Sequence, residues 1–218
     1  MTAQIQTSPK TVSILGDSYS SGHIDKPQGM AYSPLSSIGA GSAGDFIVLE
    51  GRSWGGMSAA DAVNDTGPWL NDLRMGGTFA FCAPYDVARY QVFRYGINEA
   101  VRKNADDTYT HCLQCFEANL HNLVDASRAA GRIPVLCTPP VLPVNGIMTT
   151  ECVARLADAT DRIRAVASSK NVPLVDQSNW SFTVAQMADP YHPSAAKMHA
   201  LNMDLGVKLR QVISAAGV

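Results

Sequence analysis

The chain has 218 residues, 46% hydrophobic and 17% charged, a balance that supports one well-buried core and excludes an intrinsically disordered polymer. A net charge of −2 without a basic cluster leaves no electrostatic footprint for nucleic acid or an anionic membrane surface. No run of about 18 apolar residues occurs, so no transmembrane helix is expected.

Met1 to Lys10 is polar and reads as a flexible N-terminal tail. It lacks the basic-then-apolar order of an export signal, so a cytoplasmic location is the default expectation. A virus-associated or unconventionally released protein would present the same pattern.

From there, short β-rich runs alternate with helical patterns, the order that gives a parallel sheet covered on both faces. Thr11–Leu15 is a first strand that runs into Gly16-Asp17-Ser18. Tyr19 to Gly44 is rich in Gly, Ser and Pro and reads as irregular, although a helix would be expected there. Phe46–Leu49 is a second strand and Ala59–Val63 a short helix, followed by a second irregular stretch from Thr66 to Asp86. Tyr90–Tyr95, Ile133–Cys137 and Val172–Val175 supply three further strands. Leu113, Phe116, Leu120 and Leu123 recur at helical steps, as do Val153, Leu156, Thr160 and Ile163. Met198, Leu201, Leu205, Leu209 and Val212 mark a last helix, with a start at Ser194. No linker, repeat or break in composition divides the chain, so one domain over residues 1–218 is expected.

Several motifs compete for attention. Gly39 to Gly44 matches GxGxxG, but it precedes a strand, whereas the dinucleotide fingerprint follows a strand and opens a helix. A flexible loop is the better reading. Cys112 and Cys115 form a CxxC beside His111, which raises a redox pair or part of a zinc site. A closed zinc site needs four ligands and no second pair supplies the rest, so reduced thiols in a helix are expected. Cys137 sits in an apolar run and reads as a small buried hydrophobe. Gly51-Arg52-Ser53-Trp54-Gly55 matches the GxSxG nucleophile elbow and follows a strand. Such an elbow usually comes after more strands than the two found here, yet Ser53 remains a rival nucleophile.

Ser18 follows the first strand directly and so falls outside the carboxyl edge of the sheet, where open α/β folds build their sites. A serine hydroxyl needs a base held by a third group. Asp189-Pro-Tyr-His192 lies before the last helix, and its spacing lets the carboxylate fold back onto the imidazole. Taken singly, a Gly-Asp-Ser is more often a turn or helix cap and a lone Asp-x-x-His is weaker still. Their weight lies in combination.

Gly16-Asp17-Ser18, Gly56 after the second strand, Gly96-x-Asn98 after the third and Asp189-x-x-His192 before the last helix resemble the four blocks of SGNH/GDSL hydrolases. They stand in the family's order, and the resemblance spans nearly the whole chain. It implies an α/β fold, a flavodoxin-like three-layer α/β/α sandwich of about five parallel strands in the order 2-1-3-4-5. It also implies Ser18 as nucleophile, His192 as base and Asp189 as its orienting group. The oxyanion would be held by the amides of Ser18 and Gly56 and the side chain of Asn98, and no metal or organic cofactor would be needed. Two positions depart from the family pattern: Glu99 stands where Asp is usual, and Gly51 where Asn is usual.

The implied activity is hydrolysis of a carboxylic ester, with a small-molecule or carbohydrate ester as substrate. Tyr19, Trp54 and Tyr191 are the candidate substrate contacts and favour a short, acetyl-type ester on a sugar. A lipase, a thioesterase, an acyltransferase and a catalytically silent carbohydrate-binding or assembly protein are the alternatives on the same scaffold.

Overall fold

The computed structural model describes residues 10–20, 34–43, 46–49, 58–64, 88–103 and 112–215. A five-stranded sheet in the order β2-β1-β3-β4-β5 organises them, with every neighbouring pair parallel. Its strands are β1 (Lys10–Gly16), β2 (Phe46–Leu49), β3 (Tyr90–Arg94), β4 (Ile133–Cys137) and β5 (Leu174–Val175). Four strands have four to seven residues; β5 contributes two, shorter than the Val172–Val175 expected from its apolar run.

Strand alternation sorts the core into two layers. Val12 and Ile14 of β1, Tyr90 and Val92 of β3, and Val135 and Cys137 of β4 face one side. There they meet Ile38 of α1 (Pro34–Gly41) and Leu205, Leu209 and Ile213 of α6 (Ala195–Ala215). Leu15, Phe93 and Leu136 point the other way. They pack on α2 (Ala59–Asn64), α4 (Leu113–Ala129) and α5 (Thr150–Lys170). With helices on both faces the sheet is the middle of an α/β/α sandwich, which is why its strands are apolar on both sides. Among the described residues no helix is long and apolar enough to cross a membrane.

Helix α1 corrects the reading of Tyr19–Gly44 as irregular throughout. Pro34 occupies the first helical position, where its missing N–H costs nothing. The small residues that hid the helix are what its packing requires. A Cβ on Gly41 would strike the backbone of Met203, and one on Gly206 would strike the carbonyl of Ile38. Helices α1 and α6 therefore meet backbone to backbone. Gly39 and Gly41 lie at the carboxyl end of α1, the wrong end for a nucleotide phosphate.

The cysteines behave as small structural groups. The Cys112 sulfur accepts the Cys115 amide at 3.1 Å and caps α4, and Cys137 is buried in the sheet. Cys112, Cys115 and Cys137 are free thiols, and no group of three or more His, Cys, Asp or Glu side chains is arranged for a metal ion among the described residues. The tail before Lys10 and the stretch from Thr66 to Asp86 lie outside the described residues, whereas Lys10 itself opens β1.

Candidate active site

The site forms where β1, β3 and β4 end. Gly16 closes β1, and a Cβ there would come within 2.7 Å of the Arg94 carbonyl and 2.9 Å of the Ser20 hydroxyl, so only glycine fits. Asp17 then turns the chain. Its Oδ1 accepts the Tyr19 amide at 3.0 Å and its carbonyl accepts the Ser20 amide at 3.0 Å, a side-chain-closed turn that lifts Ser18 out of the sheet. Asp17 is itself buried. Burial pushes its carboxyl up to about 6, against the opposing pull of the Tyr19 amide and the Arg94 and His192 charges.

Ser18 Oγ lies 2.7 Å from His192 Nε2, and His192 Nδ1 lies 2.8 Å from Asp189 Oδ2. A carboxylate only accepts hydrogen bonds, so this pattern assigns the ring proton to Nδ1 and leaves Nε2 to accept from the serine. Asp189 Oδ1 also takes the amides of Tyr191 and His192, each at 2.8 Å. Partial burial opposes its ionisation, but these amides and the His192 ring outweigh burial and hold the carboxyl below its ordinary range. The ring is thus fixed in one orientation by a group that stays charged.

The segment bearing His192 is braced from several directions. Its carbonyl accepts the Ala188 amide at 2.8 Å, and the Ser194 amide reaches the Gln186 carbonyl at 2.8 Å. Asn145 Nδ2 holds the Pro190 carbonyl at 3.0 Å. The Tyr19 hydroxyl donates to the Tyr191 carbonyl at 2.6 Å.

That last bond corrects the expectation for Tyr19. The side chain is 1% exposed and packs with Ile97, Met148, Leu156 and Met198 beneath the site. It supports the floor and cannot meet a substrate. Tyr191 does line the open cleft, whereas Trp54 lies outside the described residues, as do Gly56 and the rival Ser53.

The cleft has a volume of about 750 Å³ and brings Ser18, His192 and Asn98 together. Asn98 is the second residue of a short helix, α3 (Ile97–Val101), that starts directly after Gly96. Gly96 has φ 128°, a backbone geometry that favours glycine and aims α3 at the cleft.

Two supporting groups lie beneath the site, of which Arg94 escaped the sequence reading and Glu99 was noted only as standing where Asp is usual. Arg94 ends β3 fully buried, donating to the Tyr19 carbonyl at 3.0 Å, Asn202 Oδ1 at 2.6 Å and Gln177 Oε1 at 2.9 Å. An arginine in the apolar run YQVFR was the available signal, since buried arginines are rare unless paired. Glu99 is also buried, and its carboxylate accepts the amides of Ala59 at 2.6 Å and Gly96 at 2.9 Å.

No protein-family model matches the sequence, and no curated protein matches it significantly. Solved structures do match, over almost the whole chain. A structure from Desulfitobacterium hafniense assigned to the G-D-S-L family of lipolytic proteins aligns with TM-score 0.62 at 14% identity, covering 91% of this chain and 99% of that one. The lipase/acylhydrolase of Enterococcus faecalis aligns with TM-score 0.66 at 16% identity, covering 93% of this chain and 96% of that one. Est24, a carbohydrate acetylesterase from Sinorhizobium meliloti, aligns with TM-score 0.66 at 13% identity, covering 95% and 99%. The chain shares the three-layer α/β/α fold of these structures.

Proposed function

We propose that the chain is a serine hydrolase that cleaves carboxylic esters through an acyl-enzyme on Ser18. The observation that carries this reading is the continuous chain of hydrogen bonds from Ser18 Oγ through the His192 ring to Asp189, opening into the cleft that Asn98 lines.

In the first half-reaction His192 Nε2 takes the serine proton as Oγ attacks the ester carbonyl, and Asp189 stabilises the imidazolium that results. The carbonyl oxygen gains a full negative charge. Asn98 supplies a side-chain donor for it, with the Ser18 amide and, by resemblance, the Gly56 amide beside it. Such preorganised donors are typically worth roughly 3–4 kcal/mol each in the transition state. Collapse expels the alcohol, which leaves with the proton held by His192. Water then attacks the acyl-enzyme with His192 again as base, freeing the acid and restoring Ser18.

For substrate, the reading favours a short acyl ester on a carbohydrate. Tyr191, an aromatic of the kind that stacks on sugars, lines the open cleft, and Est24, with the same fold, is a carbohydrate acetylesterase. A longer acyl chain is the second reading, favoured by Ile97, Val101 and Ile147 in the cleft lining.

Fluorophosphonate labelling followed by peptide mass mapping tests the nucleophile. Adduct on Ser18 supports the proposal; adduct on Ser53 moves the chemistry to the other serine, and no adduct favours a non-catalytic binding protein. A series of 4-nitrophenyl esters then ranks acyl lengths. A kcat/KM maximum at acetyl supports the short-chain reading, and a maximum at octanoyl overturns it.

A further inference from the structure

The proposed reaction uses Ser18, His192, Asp189 and Asn98, and gives no part to the buried carboxylate of Glu99 beside them. Glu99 follows Asn98 directly and is 1% exposed. Each of its two oxygens takes a backbone amide. Oε1 accepts the Ala59 amide at 2.6 Å and Oε2 accepts the Gly96 amide at 2.9 Å. These amides belong to the starts of different helices, α2 and α3, separated by 37 positions along the chain.

Burying a carboxylate is costly unless its oxygens are well satisfied. A neutral residue would avoid that cost. The arrangement therefore gains something only a doubly accepting group of this length provides, a tie between two backbone segments.

Helix α3 needs such a tie. At five residues it is too short to hold itself, and it emerges from Gly96 at φ 128°. Arg155 of α5 grips its other end, donating to the carbonyls of Glu99 at 2.9 Å and Ala100 at 3.3 Å. The Glu99 carboxylate fixes the near end and binds it to Ala59, three positions after Gly56 in the sequence.

We propose that Glu99 is a positioning residue for Asn98: by clamping the Ala59 and Gly96 amides together it holds α3, and Asn98 on it, in register with the start of α2. This rests on the proposed role of Asn98. Misplacing a stabilising group by about 1 Å can cost on the order of a hundredfold in rate, so the clamp acts on turnover without touching substrate.

The test is a double-mutant cycle of Glu99→Gln with Asn98→Ala, with Ser18→Ala as a control. Gln presents a single acceptor where two amides need one each. The expected result is a fall in kcat of roughly 10- to 100-fold for Glu99→Gln, with KM changed less than about threefold. On the Asn98→Ala background the same substitution should cost less than about threefold, because the group it positions is gone. Glu99→Asp keeps the charge but loses reach, and should fall between wild type and Glu99→Gln; it carries the same cycle if Glu99→Gln does not fold. Independent, multiplicative losses would overturn the proposal, as would unchanged kcat with a lowered melting temperature. If Ser18→Ala is inactive but Asn98→Ala turns over normally, the oxyanion assignment itself has failed, and that outcome is distinct from failure of the clamp.

Discussion

The Tyr19 hydroxyl donates a 2.6 Å hydrogen bond to the Tyr191 carbonyl, joining the residue after the proposed nucleophile to the residue before the proposed base. The same tyrosine ring lies 5.7 Å from the His192 ring, and the Arg94 guanidinium sits 5.7 Å over it from below. One buried side chain thus holds the two halves of the site at a fixed separation. Tyr19→Phe keeps the packing and removes only the bond. It should cost about 1 kcal/mol of stability, read by urea unfolding, and lower kcat several-fold. Unchanged kcat would show that the other braces of the His192 segment suffice.

Asp189→Asn should be far more damaging. The amide can present a donor to His192 Nδ1 and so favour the wrong tautomer, and it carries no charge to stabilise the imidazolium. A drop in kcat of roughly 10³- to 10⁴-fold is expected, with the fold intact by circular dichroism. A loss below tenfold would remove Asp189 from the mechanism.

Asn98→Ala deletes a side-chain donor at the cleft. The expected outcome in steady-state kinetics is a kcat lower by about 10²- to 10³-fold with little change in KM. A rise in KM at constant kcat would instead mark Asn98 as a substrate-binding group.

Stability should fall as pH rises towards neutrality. Burial pushes the Glu99 carboxyl up to about 7 and that of Asp17 up to about 6. Between about pH 4.5 and 7 the native state therefore keeps protons that the unfolded chain has released, so each step up in pH favours unfolding. From Glu99 alone the loss between pH 5 and 7.5 should be roughly 2–3 kcal/mol. Asp189 works in the opposite sense, since its carboxyl is held low and its contribution is lost only as pH falls below the ordinary carboxylate range. Urea unfolding across pH 5–8 checks the slope, and Glu99→Gln should flatten it.

Much of the frame was legible in the residues. The strands showed as short apolar runs, and Gly-Asp-Ser at the end of the first and Asp-x-x-His before the last helix marked the two ends of the site. Helix α1 was not legible, because Ser, Gly and Ala there serve a backbone contact with α6 and leave no apolar period to detect. Tyr19 was misjudged for a related reason: a turn residue next to a nucleophile can face cleft or core, and only packing decides. Glu99 was noticed as one methylene longer than usual. Its partner Ala59 lies 40 positions away, and no local pattern announces such a bond.

The bond between Ser18 and His192 spans 174 positions of the chain, with four of the five strands built in between. Ribosomal synthesis delivers the serine first and the imidazole almost last. The proposed reactive pair needs both ends of the chain, so the proposed hydrolytic activity should arrive in one step with docking of α6, late and all at once. Recovery of turnover during refolding should then serve as a clock for completion of the topology, and a nascent or truncated copy that ends before His192 should be inactive on the proposed mechanism.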